Sequence, residues 1–119
     1  MDSLTKEEIW YWYSKAQYLI FGMEKDKVFD LLITYLKKGN PSLSKIKEIP
    51  LDKSLVELGY MDSFGVIDTV TFIENKWKIK IEDEELTKEK FGSINKMVNL
   101  ICQKINKKWK LIKKSLFKI

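Results

Sequence analysis

The chain has 119 residues, enough for one packed domain and too few for two independent cores, and its 45% hydrophobic content excludes global disorder. All 22 basic residues are lysines and there is no histidine, so the chain has neither a guanidinium fork nor an imidazole base. The net charge of +5 is segregated: residues 1–50 carry +1, residues 51–90 carry −4, and residues 91–119, with eight lysines and no acid, carry +8. The single cysteine, Cys102, has no internal partner for a disulfide, which points to a reduced, cytoplasmic setting. No apolar run reaches the roughly 18–20 residues of a membrane span, and the N-terminus lacks the basic start and apolar stretch of a secretion signal.

Thr5-Lys6-Glu7-Glu8 is a capping-box pattern that predicts a helix to about Phe21, stopped by Gly22. Its aromatics (Trp10, Tyr11, Trp12, Tyr13, Tyr18 and Phe21) wrap much of the circumference rather than one face. A second helix is predicted from Lys25 to Lys38, with Val28, Leu31, Leu32, Tyr35 and Leu36 at helical spacing and Gly39-Asn40-Pro41 ending it. Residues 40–61 read as a long connection, interrupted by Pro41 and Pro50 and pinned to the core by Leu43, Ile46, Ile49, Leu55 and Leu58. A third helix is expected from Asp62 or Ser63 to Trp77, carrying Phe64, Ile67, Val70, Ile73 and Trp77. A short helix around Glu84–Lys90 follows. Ser93 then caps a last helix whose stripe runs Ile94, Met97, Val98, Ile101, Ile105, Ile112 and Leu116.

The segment Leu58-Gly59-Tyr60-Met61-Asp62-Ser63-Phe64-Gly65-Val66-Ile67 places a serine hydroxyl at the foot of the third helix, after a turn glycine and an acid. By themselves Asp62 and Ser63 read as an N-cap, because their oxygens accept from orphan N–H groups. A catalytic serine would need a base, and no histidine exists to serve as one. A serine displayed without its own base is better suited to modification by another enzyme. Gly59 and Gly65 are small enough to leave room for that enzyme's active site.

The stretch from Leu55 to Glu85 resembles the acyl carrier and peptidyl carrier proteins. The shared pattern is the Leu-x-x-Leu-Gly turn and Asp62-Ser63-hydrophobe, then an apolar helix. Ile73-Glu74-Asn75-Lys76-Trp77, Ile79-Lys80-Ile81 and the acids Glu82-Asp83-Glu84-Glu85 follow. The Asp62-Ser63-Phe64-Gly65 form is nearest to stand-alone aminoacyl carriers of the D-alanyl type. The likeness extends more weakly from about Lys25 to Ile105. It implies an all-α, acyl-carrier-like four-helix bundle, with an extra N-terminal helix and an extended basic C-terminal helix as departures. The expected organisation is residues 1–23 as an aromatic extension, 24–105 as the carrier domain and 106–119 as a basic helical extension.

The resemblance further implies that Ser63 bears a 4′-phosphopantetheine arm, with Asp62 part of the recognised motif. The arm would hold an acyl or aminoacyl cargo as a thioester. Partners would be a phosphopantetheinyl transferase, a loading ligase and a downstream acyltransferase or synthase. They would dock on Phe64, Val66, Ile67, Asp68, Glu74, Glu82, Asp83, Glu84 and Glu85. The carrier itself would be a monomer without enzymatic activity, and neither a metal nor a nucleic acid is expected. Fatty acyl, polyketide, amino acid and D-alanine cargo remain open. The alternative is an all-α interaction or membrane-surface module with no arm. The tail from Lys104 to Ile119 alternates lysines with Trp109, Leu111, Ile112, Leu116 and Phe117. Its apolar face suits either the aromatic N-terminal helix or an anionic membrane surface. Packing on the N-terminal helix is the expectation, since neither extension has a partner within the carrier bundle.

Overall fold

The computed structural model describes residues 5–8, 11 and 24–117, with the side chains of residues 24, 109, 112, 113 and 115–117 set aside. The regular elements among these residues are all helical, with no strand among them. They form α1 (Glu24–Gly39), α2 (Pro41–Ser44), α3 (Ser63–Trp77), a 3-10 turn (Asp83–Glu85), α4 (Lys88–Phe91) and α5 (Ile94–Phe117). The all-helical bundle expected from the resemblance is the one observed. α5 runs unbroken from the bundle into the basic tail.

The core forms where the apolar stripes of α1, α3 and α5 meet. Val28, Leu32 and Leu36 recur every four residues on α1 and are buried against α5. Ile73 and Trp77 of α3 and Ile94, Met97, Val98, Ile101 and Ile105 of α5 complete it, with Ile79, Ile81 and Phe91 in the same buried cluster. Tyr35 bridges α1 and α3: its ring stacks on Phe72 at 3.9 Å between centroids, and Phe72 meets Trp77 edge-on at 5.9 Å.

The connection after α1 holds an element absent from the predicted pattern. Asn40 accepts from the Ser42 N–H, Pro41 occupies the first helical position, and one turn of helix delivers Leu43 to the core. The helix predicted around Glu84–Lys90 is instead two pieces, because Leu86 leaves the helical path and Thr87 starts a new turn by accepting from the Lys90 N–H. Ser93 caps α5 as predicted, its hydroxyl accepting from the Lys96 N–H at 3.2 Å.

The Thr5 cap is present, with the Glu8 N–H donating to Thr5 Oγ1 at 3.1 Å, and residues 6–8 and 11 are helical. The rest of the predicted helix to Phe21, with Trp10, Trp12 and Tyr13, lies outside the described residues. So does any packing of those aromatics on Trp109, Ile112 or Leu116. What is described touches both α3 and α5. The Tyr11 hydroxyl donates to the Lys76 carbonyl at 2.6 Å, and Glu8 pairs with Lys108 at 3.0 Å. Lys108 also donates to the carbonyl of Lys78, which ends α3 in the left-handed conformation at φ 53°. Carbonyls left unpaired at the end of α3 thus find partners, and an ammonium sits at the negative end of its dipole.

Candidate modification site at the start of α3

The loop reaches α3 through a tight turn. Ser54 Oγ accepts from the Glu57 N–H, the Ser54 carbonyl from Leu58 and the Leu55 carbonyl from Tyr60. Leu55 anchors this turn in the core. Leu58, expected to do the same, is 45% exposed. Gly59 reverses the chain at φ 83°, a conformation costly for any residue with a side chain. The turn is also tied to other elements: Lys88 of α4 pairs with Glu57 at 2.5 Å, and the Asn95 N–H of α5 donates to the Leu51 carbonyl.

Asp62 follows in an extended conformation, and its Oδ1 accepts from the Gly65 N–H at 2.8 Å. Asp62 is therefore the N-cap, and Ser63 is the first residue of α3. This separates the two roles that the sequence left joined. The cap is supplied by the aspartate, and the serine is exposed, with no hydrogen bond among the described residues. The hydroxyl stands at the positive end of a 15-residue helix, whose first N–H groups have no intrahelical partner. Gly65 does not open space toward a visiting enzyme. A Cβ there would lie 2.8 Å from Met61 Cγ, so the glycine lets Met61 fold against the helix instead.

Phe64 is 82% exposed and Ile67 62% exposed, while Val66 turns partly inward. Val56 and Leu58 on the preceding turn are exposed as well, a contribution the sequence reading missed. Their alternation with polar residues in an irregular segment carries no period from which exposure could be read. On the other flank lies an open cleft of about 440 Å³, lined by Tyr35, Leu36, Asn40, Tyr60, Met61 and Asp68 among others. The Tyr35 hydroxyl donates to the Asp68 carboxylate. Burial, together with that carboxylate, pushes the phenol up to about 12.

The six acids expected on the docking face divide into two groups. Asp68 is engaged by Tyr35. Glu74 is half-buried and accepts from the Ile81 N–H at 2.9 Å, fixing the strap that carries Ile79 and Ile81 into the core. Glu85 accepts from the Glu82 N–H at 2.9 Å and pairs with Lys104. Burial raises the Glu85 carboxyl, but Lys104 and the Glu82 N–H outweigh it and hold the group below its ordinary range. Glu82, Asp83 and Glu84 are the exposed members.

Comparison with known proteins agrees with this architecture. An acyl carrier protein of Petrotoga mobilis is 36% identical over 59 residues, covering 50% of this chain and 67% of that protein. A D-alanyl carrier protein of Bacillus velezensis is 28% identical over 79 residues, 66% of this chain and 94% of that protein. A D-alanyl carrier protein of Streptococcus uberis is 32% identical over 47 residues, 40% of this chain and 60% of that protein. No protein-family model and no solved structure matches the chain. On the shared sequence and the all-helical bundle, the chain belongs to the acyl carrier protein family.

Proposed function

We propose that the protein is a carrier in which Ser63 bears a 4′-phosphopantetheine arm, and that it delivers an acyl or aminoacyl cargo to partner enzymes. The observation that carries this reading is the division of labour at the start of α3: Asp62 caps the helix, so the exposed Ser63 hydroxyl has no structural duty. The site fits a phosphodiester. Free N–H groups and the positive dipole end suit an anion beside Ser63, while Asp62 keeps the first turn in place. When bound, the arm supplies a terminal thiol that holds the cargo as a thioester.

The chain's own residues orient and present, and with no histidine they supply no imidazole base. Phe64 and Ile67, with Val56 and Leu58, offer partners an apolar contact, and Glu82, Asp83 and Glu84 offer charge. A phosphopantetheinyl transferase, a loading ligase and an acyltransferase or synthase are the partners this reading requires. Incubation with a broadly active transferase and coenzyme A, read by intact mass, tests it. Wild type should gain one arm and Ser63→Ala none. No gain by wild type would leave the armless interaction module as the better reading.

A further inference from the structure

The pole of the molecule opposite Ser63 is as distinctive as the site itself. Ser63 opens α3 and Lys78 follows its end, a separation of about 22 Å at 1.5 Å per residue. α5 starts beside the loop that leads to Ser63, where Asn95 bonds Leu51, and reaches the far end of α3 where Lys108 meets the Lys78 carbonyl. Beyond that contact α5 continues to Phe117.

Lys107, Lys110 and Lys114 are all exposed on this stretch. At 100° per residue they lie about 100–160° around the helix from Lys108, the lysine taken up by Glu8 and the end of α3. The bundle side of α5 and the three-lysine side are therefore different faces. No acid occurs between residues 91 and 119 to neutralise the exposed one.

We infer that this lysine face docks on an anionic phospholipid surface, near the end of α3 that lies farther from Ser63. The charge is complementary, and lysine serves as a point charge that needs no bidentate geometry from the headgroup. Each lysine close to such a surface strengthens partition by roughly fivefold. The separation along α3 also matters. At the Ser63 end Asp62 lies about 22 Å along α3 from Lys78, beyond the roughly 8–10 Å screening length, whereas the exposed Glu82, Asp83 and Glu84 are nearer, next to Glu85 and its partner Lys104. A nucleic acid long enough to bend around the molecule would meet those acids, and the chain has no arginine with which to grip it. The surface is also compatible with the contact between the N-terminal segment and α5, because that contact uses the other side of the helix.

The test is sedimentation of the full chain with phosphatidylglycerol–phosphatidylcholine vesicles and with phosphatidylcholine vesicles, at low and high salt. Binding to the anionic vesicles alone, lost at high salt, is expected. The triple variant Lys107→Gln, Lys110→Gln, Lys114→Gln should weaken partition by roughly a hundredfold with an unchanged circular dichroism spectrum and melting temperature. The corresponding lysine-to-arginine variant should bind like wild type. Ser63→Ala should also bind like wild type, so the carrier reading and this one can fail separately. Absence of binding, equal binding to neutral vesicles, an unweakened triple variant, or displacement from the vesicles by a short RNA would each overturn the assignment.

Discussion

The two ends of α3 are finished in opposite ways. At its start the cap is local: Asp62 closes the first turn from three residues away, and Ser63, Phe64 and Ile67 remain open to solvent. At its end the partners come from far along the chain, Tyr11 to the Lys76 carbonyl and Lys108 to that of Lys78. The comparison shows how one helix can serve both display and anchorage. On the proposed function, the end that meets other proteins is kept in shape by its immediate neighbours, while the other end is locked by Tyr11 and Lys108.

The largest expected effect concerns the anchored end. Glu74→Ala leaves the buried Ile81 N–H without its acceptor and should cost about 1–3 kcal/mol in chemical denaturation. If stability were unchanged, Glu74 would be a surface charge after all. Lys108→Gln removes the ammonium shared by Glu8 and the Lys78 carbonyl. A loss of roughly 1–2 kcal/mol is expected, discounted for partial exposure, with arm attachment at Ser63 unaffected.

The same pair predicts a pH dependence. The Lys108 ammonium holds the Glu8 carboxyl below its ordinary value near 4.5, against the opposing effect of burial. A depressed carboxylate contributes stability that is present above that ordinary value and is lost as pH falls through the lowered one. Melting curves of Lys108→Gln should therefore lose less on acidification across that window than those of wild type.

At the displayed end, Asp62→Ala should cost about 0.5–2 kcal/mol and slow arm attachment, since it frays the turn that presents Ser63. The smallest effect on folding is expected from Asp83→Lys with Glu84→Lys, within about 0.5 kcal/mol. Cargo loading by partner enzymes should nevertheless slow and lose salt sensitivity, because exposed charges steer association more than they stabilise a fold. Unchanged loading kinetics would remove these acids from the docking face.

The legible parts of the sequence were those with a period or a cap. The stripe Val28, Leu32, Leu36 and the cap at Ser93 each carry a local signal and are where the pattern placed them, while at Asp62-Ser63 the pattern placed a cap but left open which residue supplies it. The turn at Pro41 also had its signal, an Asn-Pro pair, but a single turn is too short to show a period. Thr87 likewise marked the break in the segment around Glu84–Lys90. What no pattern carried were partnerships across the chain. Glu74 looked like one more surface acid until the Ile81 N–H was seen beside it. Tyr11 looked like one aromatic among several until its hydroxyl was seen at the end of α3. Irregular segments hid exposure too, so Leu55 and Leu58 were read alike although only Leu55 is buried.

The central claim is that Ser63, relieved of capping by Asp62, is the attachment point. Peptide mapping after exposure to a phosphopantetheinyl transferase and coenzyme A tests it most directly. With cleavage after Glu57, which parts Ser54 from Ser63 where no lysine does, the account predicts the added mass on the fragment containing Ser63 and none on fragments containing Ser44, Ser54 or Ser93. Mass on another serine, or on the Ser63→Ala protein, would contradict it.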